Sequence, residues 1–116
     1  MRYASYAVAG QNGEAGEVAI SVYPGETGGD LANVNRWRGQ VGLEPIGESD
    51  LKTLVTKFAV GNGEMQVVDL PGQKTRLVAG WIRNSGRTWF FKLTGSDALV
   101  SGEKEKFLNF LHSVQF

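Results

Sequence analysis

The side chains that could do chemistry are densest where a glycine-rich turn runs into a predicted helix. Residues 24–38, PGETGGDLANVNRWR, bring asparagine, arginine and tryptophan together within about two helical turns. Amide and guanidinium groups recognise carboxylates and other polar groups, and an indole adds apolar surface. The pattern predicts binding rather than catalysis, with candidate residues Asn33, Asn35, Arg36, Trp37 and Arg38.

Each polar side chain of this helix also has a structural interpretation. Arg36 or Arg38 could pair with Glu44 or donate to carbonyl groups of the neighbouring loop, and Asn35 could cap its own turn. We favour these structural roles. Even so, two asparagines and two arginines around Trp37 exceed what a covering helix needs, so this is the first surface to test.

The glycine-rich turn invites comparison with a phosphate-binding loop, because backbone N–H groups at a helix N-terminus attract anions. The segment PGETGGD lacks the Lys-Ser/Thr ending of a nucleotide loop, and the carboxylate of Asp30 would repel phosphate. A plain strand-to-helix turn is favoured, and no cofactor is expected.

Two further tryptophans define a second candidate surface. Trp81 and Trp89 lie on strands predicted to be neighbours, where aromatic pairs stabilise a sheet by up to about 1 kcal/mol. Core packing is the favoured interpretation. In the alternative, one of them lines a pocket with Arg83 or Arg87 and stacks on a sugar or an apolar ligand. Trp81, Arg83 and Trp89 therefore join the candidate binding residues.

Catalytic and metal-binding constellations are not recognisable. The chain has no cysteine and a single histidine, His112, which is placed to interact with the C-terminal end of the last helix. Acidic residues near the first turn lack calcium-loop spacing and are interpreted as solvated: Glu14, Glu17, Glu26 and Asp30. We expect no catalytic residue, no metal and no cofactor.

Length and charge restrict the classes of protein. The 116 residues fit one domain, 1–116, and 12 Lys plus Arg balance 12 Asp plus Glu. A scattered, balanced charge argues against nucleic acid as a partner. No apolar run approaches the roughly 20 residues of a membrane span, and the start does not resemble a signal peptide, so membrane association would need an anchor outside these residues.

Hydrophobic periodicity predicts alternating strands and helices. The predicted elements are strands at 3–8 and 17–23, helices at 31–40 and 48–56, strands at 57–60, 64–70, 75–83 and 87–93, and a final helix at 97–113. Asp30 and Ser96 are the predicted N-caps of the first and last helices. The continuous apolar run WFF predicts a central strand covered on both faces. The fold class is α+β, with a mostly antiparallel sheet of about five to six strands and helices packed on it.

Three motifs carry a resemblance that covers nearly the whole chain: ANVNRWRGQVGL at 32–43, TWFFKLTG at 88–95 and EKxxFLxFLxSVxF at 103–116. Together they resemble a domain of uncharacterised bacterial proteins, many of them described as lipoproteins. That domain is similar to the PsbP-like α/β/α sandwich, the fold of an extrinsic photosystem protein and of Ran-binding proteins. The resemblance implies a location in the cell envelope or periplasm, but a shared fold transfers no function.

Members of the bacterial family have a further strand upstream of the position where this chain begins. The resemblance therefore implies either a truncated chain or a short gene product, and in both cases we expect the sheet edge near residues 2–8 to be unpaired. Exposed edges associate readily, so we hypothesise that a second copy covers this edge and the chain forms a homodimer.

Three classes of function stay open. The favoured one is a non-catalytic binding or protein-interaction domain of a bacterial envelope-associated protein, with an unidentified protein or small molecule as its partner. The first alternative is an enzyme whose carboxylates and arginines meet only in the fold. The second is a structural assembly module, for which a large apolar patch and a stable oligomer are expected.

Overall fold

Six strands join in one antiparallel sheet in the computed structural model, which describes residues 2–10 and 14–116. The strands are β1 Arg2–Ala9, β2 Ala15–Pro24, β3 Thr56–Val60, β4 Gly63–Pro71, β5 Arg76–Asn84 and β6 Arg87–Gly95, and the helices are α1 Asp30–Gln40, α2 Glu48–Leu54 and α3 Asp97–His112. The order across the sheet is β1-β2-β6-β5-β4-β3, so β1 and β3 are its edges. The predicted α+β class, with its antiparallel sheet, is confirmed.

Strand β6 lies between β2 and β5, near the middle of the sheet. Its neighbouring residues Phe90 and Phe91 are both buried and belong to cores on opposite faces. Side chains alternate along a strand, so an uninterrupted apolar run needs cover on both sides. The prediction of a central, doubly covered strand from WFF is confirmed.

Helices α1 and α2 pack on one face of the sheet. Val34 and Trp37 of α1 and Leu51 of α2 are buried against alternate residues of the strands. The apolar side of α1 therefore faces the sheet. The buried residues of this α1-face core are Val34, Trp37, Val41, Leu51, Val68, Leu70, Leu77, Ala79, Trp81 and Phe90.

Helix α3 packs on the other face, mainly over β6 and β5. Val100, Phe107 and Leu111 form its buried stripe at helical spacing. The buried residues of this α3-face core are Ile20, Val60, Met65, Val67, Val78, Ile82, Phe91, Leu93, Leu99, Val100, Phe107 and Leu111.

The two strand tryptophans do not form the expected pair. Their strands are neighbours, as predicted, but Trp81 lies opposite Phe90 and Trp89 lies opposite Ile82. Opposed residues share a face, so the two indoles point to opposite sides of the sheet. Trp81 packs on Trp37 of α1, with ring centroids 5.4 Å apart, whereas Trp89 packs on the α3 face.

The two predicted helix caps differ in outcome. Ser96 is the N-cap of α3, and its Oγ accepts a hydrogen bond from the backbone N–H of Leu99 at 3.1 Å, as predicted. Helix α1 begins one residue earlier than expected, with Gly29 as N-cap and no side-chain cap bond, so the prediction for Asp30 is wrong.

Two further points concern the residues that the structure describes. The segment 9–16, between the first two predicted strands, includes residues 11–13, which lie outside the described residues. Among the residues that the structure describes, no helix combines the length and apolar character needed to cross a membrane.

Candidate functional site

The carboxylate of Asp30 gathers donors from the sheet rather than from its own helix. Its Oδ1 accepts from Trp81 Nε1 at 3.0 Å and from Arg83 Nη2 at 2.7 Å, and its Oδ2 accepts from Gln66 Nε2 at 3.2 Å. Gln66 and Trp81 are directly opposed across β4 and β5. Three side chains of one sheet face thus converge on the first residue of α1, which explains why this carboxylate does not cap the helix.

These contacts hold Asp30 in its ionised form. Burial by itself would raise the pKa of the carboxyl, but the hydrogen bond and charge of Arg83, with the donors of Trp81 and Gln66, lower the pKa below its ordinary value. Both oxygens are occupied and the group loses its proton readily. Such a carboxylate is a weak general base near neutral pH, because a base works best when its pKa lies close to the working pH.

Asn33 is fixed between the glycine-rich turn and α1. Its side chain is 1% exposed, its Nδ2 donates to Thr27 Oγ1 at 3.0 Å, and its Oδ1 accepts from Arg36 Nη1 at 2.9 Å. Thr27 has a φ of 58°, a left-handed conformation that is uncommon for a residue other than glycine. The amide of Asn33 therefore stabilises the turn and orients Arg36.

Asn35 and Arg38 tie the loop after α1 back to the helix. The side chain of Asn35 donates to the carbonyl of Ile46 at 3.0 Å and accepts from the N–H of Ile46 at 2.8 Å, and Arg38 Nε donates to the carbonyl of Glu44 at 2.6 Å. The structural interpretation of Arg38 is confirmed. Asn35 bridges to the loop, so the expectation that it caps its own turn is wrong.

Trp37 is part of an aromatic core. It is 1% exposed and meets Trp81 and Phe90 edge to face, with ring centroids 5.4 and 5.8 Å away. The guanidinium carbon of Arg36 lies 6.0 Å from the centroid of the Trp37 ring. Packing of this kind stabilises the layer and leaves the Trp37 indole inaccessible to a ligand.

The structure brings most of the candidate residues together, but the contacts that join them are hydrogen bonds and ring contacts within the protein. Trp81 and Arg83 meet at Asp30, and Asn33, Arg36 and Trp37 form a second cluster on α1, while Trp89 lies on the opposite face of the sheet. Arg83 Nε is buried without a hydrogen-bond partner among the described residues.

Sequence reasoning missed the roles of Asp30 and Gln66. The available signal was Gln66, a half-buried amide between the buried apolar residues Met65 and Val67 of β4. A buried amide needs a partner, and an acidic residue at the start of the facing helix is a suitable one.

A second charged cluster joins α3 to the β4–β5 hairpin. Arg76 donates to both carboxylate oxygens of Asp69, at 2.8 and 2.6 Å, and Lys104 Nζ lies 2.7 Å from Asp69 Oδ2. Burial would raise the pKa of Asp69, but the hydrogen bonds and charges of Arg76 and Lys104 lower it. Arg76 also contacts Asp97 and Ser101 of α3, so this network positions the helix on the sheet.

The remaining acidic and imidazole groups do not assemble into a metal site. Within residues 2–10 and 14–116, no three His, Asp or Glu side chains are grouped closely enough to hold an ion. Glu14 accepts from Ser96, so this carboxylate, like that of Asp30, is not simply solvated as expected. His112 is the last residue of α3, and its ring stacks on Phe58 with centroids 3.7 Å apart.

An apolar groove is open beside α3, at the β1 end of the sheet. One helix is about 10–12 Å wide, whereas six strands span more than 20 Å at ~4.8 Å spacing, so α3 leaves the outer strands uncovered. Tyr6 is 57% exposed and Phe110 is 39% exposed. The groove has a volume of about 310 Å³ and is lined by Tyr6, Val8, Val18, Ile20, Leu93, Glu103, Lys106, Phe107 and Phe110.

A second, larger cleft of about 530 Å³ lies near the end of α3. The β3–β4 turn, the end of β5 and the C-terminal residues 112–116 enclose it. His112 lines this cleft. The guanidinium of Arg83, which also borders this cleft, is engaged by Asp30. Its other polar lining residues are Asn62, Asn84, Ser113 and Gln115, and none of the lining residues is acidic.

Comparison with known proteins identifies a similar fold and no family. No protein-family model matches the chain, and no curated protein matches it. Among solved structures, the chain is similar to PA94 of Pseudomonas aeruginosa, a protein of unknown function that has been suggested to be a regulator. The TM-score is 0.62 at 13% sequence identity, over 97% of this chain and 81% of that one. At this identity the similarity concerns the fold alone.

Proposed function

We propose that this chain is a non-catalytic binding domain and that its binding surface is the apolar groove beside α3. The observation that carries the proposal is the contrast between saturated polar groups and open apolar ones. The polar side chains of α1 and the carboxylate of Asp30 are bonded within the protein, whereas Tyr6 and Phe110 face solvent across the groove. An exposed apolar surface bordered by polar residues is typical of a binding site.

The groove suits a small apolar group. Its volume of about 310 Å³ is at the lower limit of the roughly 300–1,000 Å³ that small-molecule sites occupy. The rim carries Glu103 and Lys106, whose charged groups lie 4.0 Å apart. A hydrophobic side chain of a protein partner, or a compact apolar ligand, would be held by burial of apolar area rather than by charge.

An enzyme assembled only in the fold is less well supported. A carboxylate and an arginine do meet, at Asp30 and Arg83, but the pKa of Asp30 is lowered. Acid–base catalysis would call for converging acidic groups whose pKa values are shifted toward neutrality. The location in the cell envelope or periplasm and the PsbP-like and lipoprotein relationships stay predictions from resemblance.

The proposal can be tested with 1-anilinonaphthalene-8-sulfonate as an apolar probe, monitored by the backbone amide NMR spectrum. We expect saturable shifts confined to β1, β2, α3 and the part of β6 around Leu93. Phe110→Ser removes one wall of the groove and should weaken probe binding about tenfold, because the lost apolar contact corresponds to roughly 1–2 kcal/mol.

Tyr23→Ser is the matched control, since Tyr23 is also an exposed aromatic residue but packs against Phe90 on the α1 face. Probe binding should be unchanged in this variant. Shifts centred on α1, or equal probe affinity in the Phe110 variant, would contradict the proposed surface.

A further inference from the structure

The edge of the outer strand β1 is unprotected beyond its first residues. Its strand neighbour within the described residues is β2, so one side of its backbone has no strand beside it. Residues 3–9, YASYAVA, contain no charge, proline or glycine. Natural proteins protect sheet edges with these residues or with short or bulged strands, because an open edge pairs with another strand.

Strand β1 carries its charged residue and its register shift only at its start, at Arg2–Ala4, whereas the opposite edge of the sheet is protected along its length. Strand β3 is only 5 residues long and carries Lys57. The ring of His112, at the end of α3, stacks on Phe58 and covers part of this strand. Of the two edges, β1 is therefore the one that can pair more readily with another strand.

We propose that β1 pairs antiparallel with β1 of a second copy of this chain, which joins two six-stranded sheets into one. The proposal goes beyond the groove, because it concerns backbone hydrogen bonding along an edge. A two-fold axis perpendicular to the sheet keeps the α3 helices of both copies on the same side. Such an interface is self-complementary, since each copy contributes the same strand.

The alternation of side chains restricts the register of this pairing. With both α3 helices on one side, residues of one face must oppose residues of the same face. The two-fold axis therefore lies midway between the two copies of one residue, so that this residue is opposite itself. The register of β1 against β2 shifts between Arg2 and Ala4, which limits regular pairing at that end. An axis at Tyr6 pairs residues 4–8 of both copies, with Tyr6 opposite Tyr6 and Ala4 opposite Val8.

Side-chain chemistry favours a second copy over a foreign strand. Opposed tyrosines form a favourable cross-strand aromatic pair, and each would bury part of the 57% of its surface that is exposed in the single chain. No charge lies within residues 4–8, and the chain has balanced formal charge, so two copies meet without charge repulsion.

A disulfide cross-link between two copies tests the register of the β1–β1 pairing directly. The natural chain has no cysteine, so Tyr6→Cys places a single thiol at the proposed axis. Directly opposed residues of antiparallel strands have Cα atoms about 4.5–5.5 Å apart, which suits a disulfide. We expect mild oxidation to link Tyr6→Cys into a dimer rapidly.

Two cysteine controls should behave differently. In Ala7→Cys the two thiols are diagonal neighbours, about 7–8 Å apart between residues, and should link at least several-fold more slowly. Tyr23→Cys lies away from the edge and should stay unlinked. Faster linking of either control than of Tyr6→Cys would overturn the proposal.

The mass in solution provides an independent test on the unmodified chain. Sedimentation equilibrium should give twice the 12.6 kDa of one chain. Tyr6→Lys should return the mass to that of one chain, because like charges directly opposed on paired strands repel. Tyr23→Lys is its matched control and should keep the doubled mass.

A wild-type chain that is monomeric up to about 1 mM, where association would be weaker than about 4 kcal/mol, would overturn the proposal. The edge would then be free for an extended strand of another protein. Probe binding at the groove by such a monomer would leave the proposed function standing. Conversely, an unmodified chain of doubled mass that binds no probe would exclude the groove but not the edge.

Discussion

Helices α1 and α3 are attached to the same sheet in different ways. Helix α1 begins at Gly29 without a side-chain cap, and its first residue, Asp30, bonds to strand side chains that are distant in sequence. Helix α3 begins at Ser96, whose hydroxyl accepts from the N–H of Leu99 within the same turn. A polar residue at the start of a helix can thus serve either its own backbone or the opposing layer.

The difference affects what each face of the sheet can do. On the α1 face, tertiary hydrogen bonds engage the polar groups, and edge-to-face contacts engage the aromatic rings. On the α3 face, one locally capped helix covers the centre and leaves apolar residues open near β1. The face that looks more functional in the sequence is therefore the more fully satisfied one in the structure.

The largest expected effect is on the closed α1 face. Trp37→Ala removes a fully buried indole from between Trp81 and Phe90, and should lower the free energy of unfolding by about 3–5 kcal/mol. Urea denaturation followed by circular dichroism measures it. Phe110→Ala, on the open face, is the control and should cost under about 1 kcal/mol. Similar losses in both variants would remove the distinction between the faces.

The next effect tests the tertiary attachment of α1. Asp30→Asn keeps the shape of the side chain but removes the charge that Arg83 and Trp81 contact, and should cost about 1.5–3 kcal/mol in the free energy of unfolding. The fluorescence of the protein should change as well, since Trp81 donates to this carboxylate. Asp50→Asn, at an exposed position in the first turn of α2, is the matched control and should change neither measurement appreciably.

Acid should weaken the attachment of α1 to the sheet through Asp30 and that of α3 through Asp69. The pKa values of Asp30 and Asp69 are lowered in the folded chain from 3.8, so their stabilisation is complete above this pH and is lost as the pH falls below it toward the folded pKa values. The free energy of unfolding should therefore decrease from pH 4 downward. Asp30→Asn should reduce that slope. An unchanged slope would show that Asp30 does not contribute to acid unfolding.

The smallest effect tests the local attachment of α3. Ser96→Ala removes the N-cap hydroxyl and should cost about 1 kcal/mol in the free energy of unfolding, with an upper value near 2. Ser96→Thr supplies a hydroxyl again and should recover most of the loss. A loss in Ser96→Ala that equals that of Asp30→Asn would show that the bond from Ser96 to Glu14 stabilises the fold well beyond the cap.

Part of the site could have been predicted more accurately from the sequence. The turn at Ser85 and Gly86 places Asn84 opposite Arg87, and counting back along both strands puts Trp81 opposite Phe90. Since opposed residues share a face, Trp89 had to point away from Trp81. The expected tryptophan pair was thus excluded by the turn length already visible in the chain.

The partners of Asp30 were not predictable in the same way. Its carboxylate could cap α1 or accept from Gln66, Trp81 and Arg83, which lie 36, 51 and 53 positions along the chain. Local capping follows from the residue type, but the choice between these donors depends on how close α1 lies to the sheet. The distance between α1 and the sheet cannot be inferred from the sequence of the helix or of the strands alone.

The sequence by itself determined the strands, the helices, the cap at Ser96 and the central position of β6, because each follows from side-chain periodicity or from donors within one turn. The tertiary structure alone decided which polar side chains are satisfied internally and where apolar surface stays open. These outcomes depend on the width of six strands against one helix and on contacts between distant residues, which no local pattern encodes.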